Sequence, residues 1–140
     1  MQNGTLSAKT KTVMLIDHNE IDNFIHQRIL LFFSDAIQVI TFRSSTDALE
    51  YLSKNKLLPQ LIFLNLHLPM NKGFEFLECY EKLNIEKEKI PIYILTALIS
   101  PSDLHIIEKS KYCCGFIEKP LTVAKLLEQI GKKPRREQIL

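Results

Sequence analysis

The chain has 140 residues, of which 46% are apolar, so a single domain with a continuous core is expected. Eighteen basic and sixteen acidic residues leave a formal charge of +2, and this balance does not favour a nucleic-acid partner. The apolar runs are too short to span a membrane, and the polar residues 1–11 do not have the form of a secretory signal peptide. The three cysteines lack the spacing of zinc or redox motifs, and we therefore expect a cytoplasmic protein.

Residues 1–11 are predicted as a flexible N-terminal segment, and the first strand is predicted from the apolar run Val13 to Ile16. Such a run is typical of a strand that is covered on both faces of a parallel sheet. A helix follows, for which Asn19 is the predicted N-cap. Its apolar residues recur at steps of three and four: Ile21, Phe24, Ile25, Ile29 and Phe32.

The same alternation of strand and helix continues through the middle of the chain. Ile37 to Phe42 is predicted as a strand, and Ser45 or Thr46 as the cap of the helix after it. This helix has the apolar stripe Ala48, Leu49 and Leu52. The third strand, Leu61 to Leu64, is followed by a loop with a proline and a glycine and by a helix with the stripe Phe76, Leu77, Tyr80 and Leu83.

The last two units complete the pattern. Ile92 to Leu95 is predicted as a strand, and Ser100, Pro101 and Asp103 give a cap, a first-turn proline and a capping carboxylate. Gly115 to Ile117 is predicted as a short strand. The final helix is predicted from the stripe Leu126, Leu127 and Ile130, and Gly131 is expected to close it. The predicted domain is 12–131, and 132–140 is a basic tail.

Five strands alternating with five helices predict an α/β fold, a doubly wound five-stranded parallel sheet with helices on both faces. In such sheets the functional crevice lies beyond the carboxyl ends of the strands. Polar residues follow four of the predicted strands at that edge: Asp17 and His18, Asn65 and His67, Thr96, and Lys119 with Pro120.

This ordered set resembles the response-regulator receiver domain of two-component signalling, with a CheY-like, flavodoxin-like fold. Receivers have an acidic pair after the first strand and an aspartate after the third, with a proline and a glycine close behind. They have Thr or Ser after the fourth strand and Lys-Pro after the fifth. Here Pro69 and Gly73 stand at the matching offsets from Asn65. The resemblance covers about Thr12 to Ile130.

The resemblance places Asn65 at the phosphoacceptor position and His18 at the second acidic position, so that only Asp17 remains of the three acids. A carboxamide has no anionic oxygen with which to attack phosphorus, and we expect no acyl phosphate at Asn65. Magnesium prefers carboxylate oxygens, whereas imidazole is a softer ligand. Weak or no magnesium binding, and no other cofactor, are therefore expected.

Charge balance leads to a hypothesis about the crevice. Asp17 and Lys119 could neutralise each other, and Lys119 is predicted to bridge Asp17 and the Asn65 carbonyl, which would hold one state without phosphorylation. By resemblance, His67 offers its backbone carbonyl to the crevice and turns its side chain away, and Phe116 is the aromatic residue that moves with Thr96. A transition-metal site formed by His18, His67 and Asp17 is the alternative.

The sequence thus predicts a stand-alone, non-enzymatic receiver-like module of a phosphorelay that acts by protein contact through its fourth and fifth helices. Its expected partners are a histidine kinase, a phosphotransfer protein or another signalling protein. A homodimer through the fourth and fifth helices is also compatible with the sequence. Kinases would meet the first helix near Ile21, Phe24 and Ile25.

Two other functions are compatible with the same fold. A flavodoxin-like nucleotide or flavin binder would need a glycine-rich or hydroxyl-rich loop after the first strand, where this chain has Asp17-His18-Asn19-Glu20. The second alternative is phosphorelay chemistry at a histidine, either His18 or His26. His26, however, has no supporting acid at an obvious spacing.

Overall fold

Five parallel strands form a single sheet in the computed structural model, which describes residues 11–54 and 57–130. The strands are β1 (Lys11–Ile16), β2 (Ile37–Phe42), β3 (Leu61–Leu64), β4 (Ile92–Thr96) and β5 (Cys113–Glu118). Their order is β2-β1-β3-β4-β5, so the direction of winding reverses between β1 and β3. A crevice for function is expected at the carboxyl ends of these two strands. The predicted fold class is confirmed.

Five helices follow the strands: α1 (Glu20–Phe33), α2 (Ser45–Lys54), α3 (Lys72–Glu81), α4 (Pro101–Lys109) and α5 (Val123–Ile130). Short 3-10 turns occupy Pro69–Asn71 and Lys87–Lys89. Side chains alternate across the sheet, as the strand period of two requires. On β1, Met14 and Ile16 enter one hydrophobic cluster, whereas Val13 and Leu15 enter a second one on the opposite face.

Two of the three predicted helix caps are confirmed, those of α1 and α4, and the one predicted for α2 is wrong. The side chain of Asn19 accepts a hydrogen bond from the Asp22 amide, and Ser100 and Asp103 form the predicted capping box of α4. At α2 the cap is Ser44, whose Oγ accepts from the Asp47 amide at 3.1 Å, and the prediction of Ser45 or Thr46 is wrong. The first periodic residue of α2, Ala48, lies four residues after Ser44 and its amide donates to the Ser44 carbonyl, so the helix begins one residue earlier than predicted.

The ends of the domain show two further differences from the sequence prediction. β1 begins at Lys11, which pairs with Ile37, so Lys11 belongs to the sheet and not to the preceding segment. On α5, Leu126 is buried but Leu127 is 58% exposed, because adjacent residues on a helix point about 100° apart. Leu127 is therefore not part of the buried stripe. Gly131 and the segments 1–10 and 132–140 lie outside the described residues.

Close packing fixes the loop between β3 and α3. A Cβ atom on Gly73 would lie 2.0 Å from the backbone oxygen of Leu66, so the first turn of α3 sits directly against the chain that leaves β3. Cys113 and Cys114 on β5 are buried thiols. Within the described part of the chain, no helix combines the length and apolar character needed to cross a membrane.

Candidate site at the carboxyl ends of the strands

Four polar residues predicted from the sequence meet at one edge of the sheet. Asp17 follows β1, Asn65 follows β3, Thr96 ends β4 and Lys119 follows β5. Main-chain hydrogen bonds extend the pairing into the site: the Asn65 amide donates to the Ile16 carbonyl at 2.9 Å, and the Lys119 amide donates to the Thr96 carbonyl at 2.8 Å. Asp17, Asn65 and Thr96 are only 4%, 6% and 2% exposed. Such buried polar groups need internal partners.

The Asn65 carboxamide uses both of its ends within the protein. Its Nδ2 donates to Asp17 Oδ1 at 3.2 Å. Its Oδ1 accepts from the Thr96 hydroxyl at 2.9 Å and from the His67 amide at 3.0 Å. An amide oxygen has two acceptor positions, and both are taken. An ionised aspartate at this position could not donate to Asp17, so the arrangement depends on the amide.

Lys119 is held between two carboxylates. Its Nζ lies 2.7 Å from Asp17 Oδ2 and 2.6 Å from Asp22 Oδ2, and Asp22 belongs to the first turn of α1. The predicted bridge from Lys119 to the Asn65 carbonyl is therefore wrong, because Asp22 takes that place and Thr96 occupies the Asn65 oxygen. Burial acts to lower the pKa of Lys119, but the hydrogen bonds and charges of Asp17 and Asp22 outweigh it and raise the pKa.

Asp22 has no direct signal in the sequence as a site residue. An acidic residue in a first turn is ordinarily explained by the helix dipole, and nothing local shows that its side chain reaches the end of the fifth strand. With Asp22 included, two carboxylates surround one ammonium group. The prediction that Asp17 and Lys119 neutralise each other was therefore incomplete, since these three groups together have a formal charge of −1.

The remaining contacts of Asp17 come from the start of α1. Asp17 Oδ1 accepts from the Asn19 amide at 2.9 Å, and the Asp17 carbonyl accepts from Asn23 Nδ2 at 2.8 Å. His18 lies at the rim with its Nδ1 3.7 Å from Asp17 Oδ1, and its side chain is half exposed. His26, buried on α1, has its pKa lowered by burial first and by the charge of Lys119 second. Its neutral form is therefore favoured at neutral pH.

His67 and Phe116 lie beside this set. The His67 amide contacts Asn65, but the ring points to α4, where Nε2 is 2.9 Å from Asp103 Oδ2. Among the residues that the structure describes, no three His, Cys, Asp or Glu side chains form a metal-binding group. Phe116 is half-buried against the core cluster that contains Ile94. Pro120 follows Lys119 through a cis peptide bond.

Residues 13–131 match the response regulator receiver domain family. This chain belongs to that family. Receiver domains are modules of two-component signalling and interact with histidine kinases or phosphotransfer proteins.

Individual relatives agree with the family. The chain is 29% identical over 127 residues to hybrid signal transduction histidine kinase D of Dictyostelium discoideum; the match covers 84% of this chain but only 8% of that protein. A two-component response regulator from Cytophaga hutchinsonii has a TM-score of 0.76 at 23% identity, with 88% of this chain and 96% of that chain covered. A CheY-like receiver domain from Methanospirillum hungatei has a TM-score of 0.74 at 20% identity, covering 93% and 98%. These structures show the shared fold.

Proposed function

We propose that this chain is a non-enzymatic receiver module of a phosphorelay that works by protein contact and takes no phosphoryl group at Asn65. The observation that carries the proposal is the Asn65 carboxamide, which donates to Asp17 and accepts from Thr96. In receivers the residue at this position attacks phosphorus through a carboxylate oxygen. The amide lacks that nucleophile, and its oxygen is already occupied by two donors. The buried thiols of Cys113 and Cys114 are compatible with a cytoplasmic location.

Magnesium binding is proposed to be weak or absent. Asp17 Oδ1 accepts from Asn19 and Asn65, and Oδ2 accepts from the Lys119 ammonium, so a cation would have to displace these donors. The second acidic position is His18, whose imidazole is a poor ligand for a hard cation. The site satisfies its buried carboxylate without a metal.

A single conformational state is the second part of the proposal. The Thr96 hydroxyl already donates to Asn65 Oδ1 at 2.9 Å, so the threonine has a partner on the chain after β3 without a phosphoryl oxygen. Phe116 packs against the core cluster, beside Ile94 of the neighbouring strand β4. The geometry of this site is then independent of phosphorylation. The face of α4 and α5 through which the module contacts other proteins would therefore keep one conformation.

Phosphorylation chemistry tests the first part of the proposal. We expect that acetyl phosphate with magnesium leaves the unmodified chain unchanged in intact-mass spectrometry. The double variant Asn65→Asp with His18→Asp restores both acids, and it is expected to gain the mass of one phosphoryl group. The single variant His18→Asp, which keeps Asn65, is the matched control and is expected to gain none.

Two outcomes of the phosphorylation experiment would contradict the proposal or the assignment of position 65. Phosphorylation of the unmodified chain would contradict the proposal. If the double variant also stays unmodified while its circular dichroism is native, position 65 is not the phosphoacceptor position and the site assignment fails. A flavin or nucleotide binder would instead show ligand absorbance in the purified protein.

An apolar face on α1 is proposed as the surface that meets a histidine kinase or a phosphotransfer protein. Ile21, Phe24 and Ile25 are exposed although they are large apolar residues, and Phe24 is 60% exposed. Their spacing of three and four places them on one side of the helix, and the Arg28 guanidinium lies 5.8 Å from the Phe24 ring centre. Exposed clusters of this kind mark interaction sites. This apolar face lies next to Asp22 on α1, and the Asp22 carboxylate contacts Lys119 of the site.

The docking face can be tested by substitution of Phe24. Against a panel of histidine kinase and phosphotransfer domains from the source genome, the member that binds the unmodified chain should bind Phe24→Ser at least about tenfold more weakly, as expected for a central aromatic contact. Leu57→Ser is the matched control, because Leu57 is 84% exposed before β3 and not on α1. Equal affinities of the two variants, measured by biolayer interferometry, would exclude this face.

Further contacts are proposed for the face of α4 and α5. Leu104 on α4 and Leu127 on α5 are exposed apolar side chains, and Leu127 is available for contact because it is not part of the buried stripe. This face would bind another signalling protein or a second copy of the chain.

A further inference from the structure

A continuous set of hydrogen bonds runs from Asn65 to the beginning of α4 through one residue, His67. The His67 amide donates to Asn65 Oδ1 at 3.0 Å, and Nε2 of the same residue lies 2.9 Å from Asp103 Oδ2. Asp103 closes the capping box of α4, because Oδ2 accepts from the Ser100 amide at 3.0 Å and Ser100 Oγ accepts from the Asp103 amide at 3.1 Å. His67 therefore touches both the site and the first turn of α4.

We propose that His67 is a positioning residue that fixes the start of α4 to the loop after β3 through its hydrogen bond to Asp103. This inference rests on the proposed function, in which the α4 and α5 face contacts partners. If the first turn of α4 is tied to the Asn65 loop, that face keeps one position while Asn65 keeps its partners. The role is distinct from the site chemistry, because the His67 ring nitrogen bonds to Asp103 and not to Asn65 or Lys119.

The burial of the Asp103 carboxylate makes its hydrogen bond to His67 costly to break. Its side chain is 5% exposed, whereas the His67 side chain is 49% exposed. Burial of the carboxylate acts to raise the pKa of Asp103, but the hydrogen bonds from Ser100 and His67 together outweigh it, and the pKa lies below its ordinary value. A buried carboxylate that loses a donor is costly, so the contact resists being broken.

The His67 ring has a second contact, which a test must separate from the first. It meets Phe74 of α3 edge to face, with ring centres 6.1 Å apart. A merely structural role would depend on this aromatic packing and not on the nitrogen. His67→Phe keeps a ring against Phe74 but removes the hydrogen bond, whereas His67→Gln removes the ring but keeps an amide donor of similar reach.

Amide hydrogen exchange in the full chain distinguishes the two roles. In His67→Phe, the amides of 103–106, within the first turns of α4, are expected to exchange about tenfold faster than in the unmodified chain, which corresponds to about 1.4 kcal/mol. In His67→Gln they should stay close to the unmodified rates. His105→Gln is the control, because His105 is an exposed histidine on the same helix. Exchange at Met14 reports global unfolding and should be unchanged in all three variants.

Two outcomes would overturn the proposal: unmodified rates in His67→Phe, or rates in His67→Gln as fast as those in His67→Phe. If His67→Phe does not fold, Phe74→Leu separates the two contacts instead. It removes the ring contact and leaves the His67 nitrogen on Asp103, so the amides of 103–106 should keep their unmodified exchange rates. None of these readouts depends on phosphorylation, so failure here and failure of the proposed function are separately visible.

Discussion

Replacing Gly73 by alanine is expected to lower the free energy of unfolding by about 3 kcal/mol, at the upper end of the cost of overpacking. The added Cβ would lie 2.0 Å from the Leu66 oxygen and 2.5 Å from the Leu66 carbonyl carbon. Both are backbone atoms, so no side-chain rotation can relieve the clash, and either α3 or the loop after β3 has to move. Urea denaturation followed by circular dichroism gives the difference.

Gly115→Ala is the control for this prediction. Its Cβ would meet the flexible end of Gln129 at 2.9 Å and the Tyr93 ring at 3.2 Å, so we expect a loss of about 1 kcal/mol. Equal losses at the two glycines would mean that α3 is not packed against the Leu66 backbone as described. Because Leu66 directly follows Asn65, the Gly73 variant should also shift the Asn65 amide resonance, and the Gly115 variant should not.

The sequence was sufficient for the fold because the signals of a parallel α/β sheet are local. The run Leu61 to Leu64 is buried at every position, as expected for a strand covered on both faces, and the α1 residues recur with the helical period. The topology then places Asp17, Asn65, Thr96 and Lys119 at one edge, and the structure brings them together there. Neither step requires knowledge of a side-chain conformation.

What the sequence could not supply was the full set of partners of each polar group. Lys119 is 97 residues from Asp22 and 102 from Asp17, and only the first of these pairings was missed, because Asp22 has an ordinary explanation as a first-turn acid. The His67 ring and Asp103 are 36 residues apart and are joined by a rotamer that no spacing predicts. Several polar groups lie within reach of each long side chain at this edge of the sheet. The local sequence pattern does not show which of them it will contact.

The second large effect is expected at Lys119. Lys119→Met keeps most of the aliphatic stem but leaves Asp17, with a side chain 5% exposed, beside Asp22 with no ammonium group between them. Removing one member of a buried ion pair typically costs about 3 kcal/mol or more, because the remaining charge stays desolvated and here also faces a like charge. Thermal and urea unfolding at pH 7 give the loss.

Lys54→Met is the matched control, since Lys54 pairs with Glu50 at 2.8 Å on the surface of α2, where both side chains are more than half exposed. Solvent screens an exposed pair of this kind, so its loss should change the stability far less than the loss of Lys119. Asp22→Asn should fall between the two, because the Asp22 side chain is 30% exposed and its amide oxygen could still accept from Lys119. A Lys119 variant as stable as the Lys54 variant would show that the two carboxylates do not need the ammonium group. The expected loss would instead show that the ammonium group of Lys119 stabilises the two carboxylates, one after β1 and one in the first turn of α1, at the end of β5.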